Sequence, residues 1–175
     1  LFYRVISVGN VCGSVKRNQP LLTQGLGKIK FLTNVNLGVK TSPHFLSSYS
    51  YIEARKLGAK IEIGSNTWIN NSFIAIAEHS TIRIGNNCLI GSCVEIYDSD
   101  FHSIDYRIRG KENGKHHSKP VNIEDHVFIG ANVKILKGVN IGKGAVIAHG
   151  SIVINDVKSM QVVGGCPAKV IKEIE

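Results

Sequence analysis

From Ile123 to Asp156 the chain repeats every six residues. Ile123, Ile129, Ile135, Ile141, Ile147 and Val153 are aliphatic, and four places after each stand Val127, Val133, Val139, Ala145, Ser151 and Val157, all small or β-branched. A helix repeats its apolar face about every 3.6 residues and a half-buried strand about every 2, so a sustained six fits neither. It fits a solenoid in which each hexad supplies one short flat side and three hexads close a triangular coil.

The pattern weakens toward the N-terminus. From Gly27, Ile29, Phe31, Val35, Leu37 and Val39 alternate with polar residues as strands do. Leu57, Ile63 and Ile69 are expected to begin the six-residue beat. It slips between Phe73 and Ile82, where Ile74, Ala75, Ile76 and Ala77 are expected to fill a wider turn, and resumes at Ile84, Ile90 and Ile96. Ile123 stands 27 positions after Ile96 where six would suffice, so about 21 residues must leave the coil. The excursion, 97–122, reads YDSDFHSIDYRIRGKENGKHHSKPVN. Its charge, Gly and His keep it out of any core, and long loops on compact scaffolds often carry function.

Two units follow from this pattern. Residues 1–26 show no beat and are expected to cap the coil's open end as a short helix or lead-in strand. Leu1, Phe2, Tyr3 and Arg4 there are a candidate for peripheral membrane contact. Residues 27–175 form the coil domain, and 167–174, opening at Pro167, is expected to be a short amphipathic helix.

At 175 residues and 43% hydrophobic content, the chain can bury one sizeable core and is no disordered polymer. No apolar run reaches membrane-spanning length and no signal peptide is visible, which points to the cytoplasm. The sequence begins at Leu1 rather than Met, consistent with an upstream segment lying outside it. Cys12, Cys88, Cys93 and Cys166 form no CxxC pair and read as free thiols in a reducing compartment, Cys88 as a buried small hydrophobe. The net charge of +8 admits nucleic acid as a partner, yet the basic residues read as scattered and no helix-turn-helix or aromatic RNA-binding motif accompanies them. A polyphosphate-bearing donor or an anionic lipid-linked sugar explains the sign equally well.

IGNNCLIGSCVEIYDSDFHSID (84–105) and VFIGANVKILKGVNIGKGAVIAHGSIVINDV (127–157), with the closing VVGGCPAKVIKEI, resemble the hexapeptide-repeat acyltransferases. The likeness is to the sugar O-acetyltransferase branch, which includes maltose, galactoside and surface-polysaccharide enzymes, and it covers about residues 57–175. It implies a left-handed parallel β-helix, an exception to the right-handed crossover rule. It also implies a homotrimer with active sites between subunits, and direct acetyl transfer from acetyl-CoA to a hydroxyl with no metal. His102 matches the family's loop histidine and is the candidate general base, since an imidazole titrates near neutrality and an unassisted hydroxyl attacks poorly. Asp100 and Asp105, with Asp98 behind them, are candidates to orient it, and the spacing does not choose among them. Asn70, Asn71 and Asp98 are candidate acceptor contacts. The resemblance places Phe128, Ala131, His149, Asn155, Lys169 and Lys172 along the acetyl-CoA groove. Phe128 and His149 depart from the family's usual Trp and small residue, and Asn155 stands in place of a common Lys.

His116 and His117 are expected either to contact an acidic acceptor or to be loop polarity. Three other readings compete. One is N-acetylation of an amino sugar nucleotide or a xenobiotic on the same scaffold. A second is a zinc enzyme of the γ-carbonic-anhydrase kind drawing on His79, His102, His117 and His126. The third is a structural β-helix without activity.

Overall fold

The fold, a computed structural model, describes residues 2–111 and 117–175. In chain order its elements are α1 (Phe2–Val5), β1 (Asn10–Arg17), β2 (Leu21–Gln24), β3 (Lys28–Leu37), β4 (Ser50–Ala54), β5 (Lys60–Ile63), β6 (Trp68–Ile69), β7 (Ile74–Ala77), β8 (Thr81–Ile84) and β9 (Leu89–Ile90). They continue with β10 (Glu95–Tyr97), β11 (Val121–Ile123), β12 (Phe128–Ile129), β13 (Lys134–Ile135), β14 (Asn140–Ile141), β15 (Val146–Ile147), β16 (Ile152–Val153), β17 (Gln161–Gly165) and β18 (Ala168–Glu173).

From β3 to β13 each strand pairs in parallel with the strand three places on. Ile123 lies beside Ile141, Ile129 beside Ile147 and Ile135 beside Val153, so one turn of the coil takes three hexads. Three faces result. The first stacks β3, β5, β8, β11 and β14; the second stacks β3, β6, β9, β12, β15 and β17; the third stacks β2, β4, β7, β10, β13 and β16. The ten-residue β3 joins the first two faces by pairing with β5 through its first half and β6 through its second.

The six-residue beat is a burial code. Its isoleucines and the residues four places later all point inward, with Ile123, Ile129, Ile135 and Ile141 fully buried. Fully burying one such side chain stabilises by about 1.5–3 kcal/mol, and the coil repeats that gain at every side. The corners impose a second constraint. Gly91 stacks so tightly on the next coil that a Cβ would meet the Ala131 nitrogen at 2.5 Å. Asn66, Asn87 and Asn132 take the positive φ these corners require, at 57°, 55° and 57°.

Several expectations are corrected. Leu57 is 85% exposed, because Lys56–Ala59 closes a turn (Ala59 N to Lys56 O, 3.0 Å) with Gly58 at φ 93° and leaves the inward places to Ala59 and Ile61. Ile74–Ala77 is the strand β7 rather than a turn, with Ala75 and Ala77 buried. The coil also starts before residue 27, since β2 already pairs with β4 on the third face. Both forms expected of the N-terminal segment are present: α1 is a single helical turn and β1 pairs with the outer edge of β3.

No helix forms over 167–174. The segment is β18, folded back antiparallel on β17 after the Cys166–Pro167 turn. An eight-residue helix is marginal on its own, whereas a strand here satisfies the open backbone edge of β17. All four cysteines are free, with Cys88 buried, and burial pushes its thiol pKa upward.

Candidate active site

The excursion leaves the third face after β10 and is pinned at its root. Ser99 and Ser118 bridge across its mouth, and Lys119 N donates to Asp98 O at 2.8 Å. His102 stands just beyond, exposed, and His116 lies outside the described residues. The residue before it, Phe101, holds a φ of 60°, and the His102 amide donates to the Asp100 carbonyl at 2.7 Å, closing a tight three-residue turn. Such a conformation is costly for an aromatic residue and persists only where the surroundings enforce it.

Those surroundings form one connected network. The Phe101 ring stacks edge-on against Tyr97 at 5.7 Å and lies under the Arg55 guanidinium at 4.9 Å. Arg55 donates to both oxygens of Glu53 at 2.9 Å and approaches Glu78 at 3.7 Å. Ser99 Oγ donates to Glu78 at 2.5 Å and accepts from the Phe101 amide at 3.0 Å. Burial by itself would raise the Glu53 carboxyl pKa, but hydrogen bonds and charge from Arg55, with the Tyr51 hydroxyl, hold it below the usual value. The Tyr51 hydroxyl is pushed up to about 12 by burial and by Glu53.

The aspartates do not orient the His102 ring in this arrangement. Asp100 pairs through its carboxylate with Lys137 at 2.8 Å and serves His102 only through its carbonyl. Asp105 is gripped by Arg107 (2.7 Å), whose hydrogen bonds keep its pKa low. Asp98 is corrected as an acceptor contact: it is fully buried, and its carboxylate accepts the backbone amides of Glu78, His79 and Ser80 at 2.7, 3.3 and 2.7 Å. Its work is to root the excursion on the turn that enters β8. Asn71 is corrected likewise. It too is fully buried, accepting from Val39 N and donating to the Val39, Ser42 and Pro43 carbonyls, so it holds the segment after β3 in place.

A separate groove of about 280 Å³ opens on the second face and the corner beyond it, lined by Val39, Trp68, Asn70, Leu89, Gly91 and Phe128. Trp68, Leu89 and Phe128 stand in register on β6, β9 and β12, each about half exposed, and make an apolar wall. Asn70 closes one end, its amide donating to Ser42 Oγ at 3.0 Å. Along the same corner, Gly150 N donates to Ala131 O at 2.9 Å, and the exposed His149 lies 3.5 Å from the Asn132 amide. Lys169, opposite Gly164 on β18, and Lys172, opposite Val162, continue the line as exposed cations. Asn155 falls elsewhere, on the corner after β16, below the excursion.

His102 and the groove therefore occupy different corners of one coil at the same height: β9 runs past the groove, and β10 leads into the excursion. An apolar wall ending in an amide and two lysines fits a long acyl-carrying arm with a phosphorylated end. The histidines weighed as zinc ligands are not gathered, and among the described residues no three His, Cys, Asp or Glu side chains cluster as a metal site. Trp68, Leu89, Arg55, Tyr97 and Phe101 were not singled out by sequence. The signal for the first two was legible, since each is a large apolar residue directly before a corner isoleucine, as Phe128 is.

A family model described as the hexapeptide repeat of succinyl-transferase matches residues 81–96 and 120–154. Galactoside O-acetyltransferase of Escherichia coli (strain K12) is 38% identical over 117 residues, covering 67% of this chain and 56% of the relative. The chain thus spans little more than half the length of the curated relatives it matches first. The solved hexapeptide-repeat acetyltransferase of Vibrio cholerae O1 biovar eltor, complexed with acetyl-CoA, is 28% identical with a TM-score of 0.60, covering 99% of this chain and 74% of that one. A polySia-specific acetyltransferase structure is 27% identical with a TM-score of 0.63, covering 94% and 82%.

Proposed function

The chain belongs to the hexapeptide-repeat acyltransferases, with sugar O-acetyltransferases among its relatives, and from that premise we propose that it transfers the acetyl group of acetyl-CoA to a sugar hydroxyl. The acceptor in this reading is a bacterial surface polysaccharide or its precursor. His102 Nε2 or Nδ1 takes the hydroxyl proton as the oxygen attacks the thioester carbonyl. The tetrahedral adduct then expels the CoA thiolate, which recovers the proton from the imidazolium. General-base catalysis of this kind contributes about 10²–10⁴-fold, and positioning of both substrates supplies much of the rest.

The observation that carries the reading is the separation of its two halves. A histidine on one corner and an apolar groove on another, level with each other, suit a substrate pair shared between neighbouring chains. Copies packed side by side around a closed axis bring one chain's His102 to its neighbour's groove, so the active form is a homotrimer with three sites. Trp68, Leu89 and Phe128 line the pantetheine arm, Ala131 and His149 border it, and Lys169 and Lys172 face the CoA phosphates. Asn70 is the remaining acceptor contact. The coil winds left-handed, as the family resemblance implies. Acetyl-CoA and nucleotide-linked or lipid-linked precursors place the reaction in the cytoplasm or at the inner membrane face; among the described residues no helix is long and apolar enough to cross a membrane.

Calorimetric titration of acetyl-CoA into the purified protein, followed by thiol release with a panel of sugar and amino-sugar acceptors, tests the proposal. Micromolar binding and release dependent on a hydroxyl acceptor are expected. Release only with free amines would convert the reading to N-acetylation, and absence of binding would end it.

A further inference from the structure

The charge of this chain is not scattered, contrary to the sequence-based expectation. Residues 1–52 hold six cations and no Asp or Glu, whereas 53–175 hold 15 cations against 13 acids. The fold gathers part of that excess on the first face. In one column Lys28 lies beside Lys60 and Lys60 beside Thr81; in the next, Lys30 lies beside Glu62, Glu62 beside Arg83 and Arg83 beside Asn122. Neighbouring rungs are about 4.8 Å apart, a distance at which like charges on adjacent strands repel. Glu62 relieves Lys30 at 3.2 Å. Among the described residues Lys28, Lys60 and Arg83 have no carboxylate partner.

Two adjoining grooves open on this face. A groove of about 350 Å³ is lined by Lys28, Lys30, Lys60, Glu62, Thr81 and Arg83. A second, of about 220 Å³, begins at the same Arg83 and runs on past Asn122 to Lys143. The two acids bordering the second are engaged: Glu124 accepts the Lys143 amide, and Asp125 accepts the Asn86 amide, which keeps its pKa low. The trough passes the root of the His102 loop, because Asp98 binds the amides of Glu78–Ser80 just before β8, and β8 pairs with β11, the strand to which the loop returns.

We propose that the first face is a docking track for an anionic polysaccharide, a glycan bearing carboxylate or phosphate groups at regular intervals, whose reacting sugar lies at His102. The proposal rests on the acyltransferase reading and names the acceptor's chemical class. A ladder of cations spaced by rungs matches a polymer whose charges are spaced by sugar residues. A membrane surface fits less well, since such contacts combine cations with inserted apolar side chains and the outward residues of this track are polar. Single-stranded nucleic acid fits less well because the track offers no aromatic ring for base stacking.

The test uses the full chain with polygalacturonate as the carboxylate glycan, neutral dextran as its control, and phosphatidylglycerol vesicles as the rival anionic surface. Wild type should bind polygalacturonate and not dextran, with affinity falling steeply as salt rises. The Lys28→Gln/Lys60→Gln/Arg83→Gln variant, with circular dichroism confirming its fold, should bind at least tenfold more weakly at low salt. Its log–log salt slope should drop by about 2, at about 0.7 for each lost contact. Lys60→Gln alone should lower the slope by about 0.7. Equal binding by wild type and the triple variant, equal binding of dextran, or tighter binding of the vesicles would each overturn the track. Acetyl-CoA titrated into wild type judges the acyltransferase reading separately: glycan binding without acetyl-CoA binding sinks that reading, and the reverse sinks the track alone.

Discussion

The hexads from Ile123 to Val157 and the excursion between Ser99 and Ser118 are close neighbours held by opposite means. In the hexads, inward aliphatic side chains fix the backbone, and each coil templates the next through parallel pairing. Among the excursion's described residues the large apolar side chains of Ile104 and Tyr106 are out in solvent, 84% and 80% exposed. Its shape comes instead from Arg109 donating to the Ser103 and Ile104 carbonyls, from the Asp105–Arg107 pair, and from Phe101 held against Tyr97 and Arg55. The coil fixes its positions through buried packing and strand pairing and has little freedom to vary. The excursion can place an imidazole where the coil has none, provided the coil braces it. The difference teaches that the rigidity of the site is borrowed from the third face.

That comparison can be broken or sharpened in four ways. Ile129→Ala in the coil should destabilise by about 2–5 kcal/mol in urea melts, while Ile104→Ala in the excursion should stay within about 0.5 kcal/mol. Equal effects would deny that the two regions are held differently. Arg55→Ala should lower turnover about tenfold to a hundredfold through a misplaced His102, with acetyl-CoA affinity retained, and Arg55→Lys should recover only part because a lysine cannot keep both Glu53 contacts. A loss of melting temperature with turnover intact would make Arg55 merely structural. Lys169→Gln with Lys172→Gln should weaken acetyl-CoA binding severalfold, more at low salt than at high. Unchanged affinity would move the phosphates elsewhere.

The smallest effect concerns acid. Glu53 has a folded pKa below its ordinary 4.5, so its stabilisation is present above that value and is lost as pH falls through the lowered one. Melting temperature in that acid window should fall less steeply for Glu53→Gln than for wild type, and identical profiles would remove Glu53 from the bracing network.

The coil was largely legible because a six-residue period is a direct record of which side chains point inward, as at Ile135 and Val139. It blurred where one residue more or less changes nothing about burial: Leu57 keeps the count yet sits on a turn, and Ala75 fills a place the count assigned to no strand. The terminal strand β18 was missed because an apolar pattern eight residues long does not separate helix from strand, and only the open edge of β17 decides it. At the candidate site the sequence offers His102 as a proposal, but the side chains that brace its loop were not legible. Arg55, Glu78 and Ser99 lie on successive rungs, far apart in sequence and adjacent only once the coil is closed. Asp98 and Asn71 carried the right chemistry for acceptor binding, yet their oxygens were already committed to backbone amides.

The most direct measurement is the rate of acetyl transfer by His102→Ala against wild type, followed by thiol release at saturating acetyl-CoA with an acceptor the wild type uses, beside the acetyl-CoA affinity of both. A fall in turnover of about 10²–10⁴-fold with affinity preserved is the predicted result. Turnover at the wild-type rate would contradict the assignment of the base and, with it, the role given to the excursion.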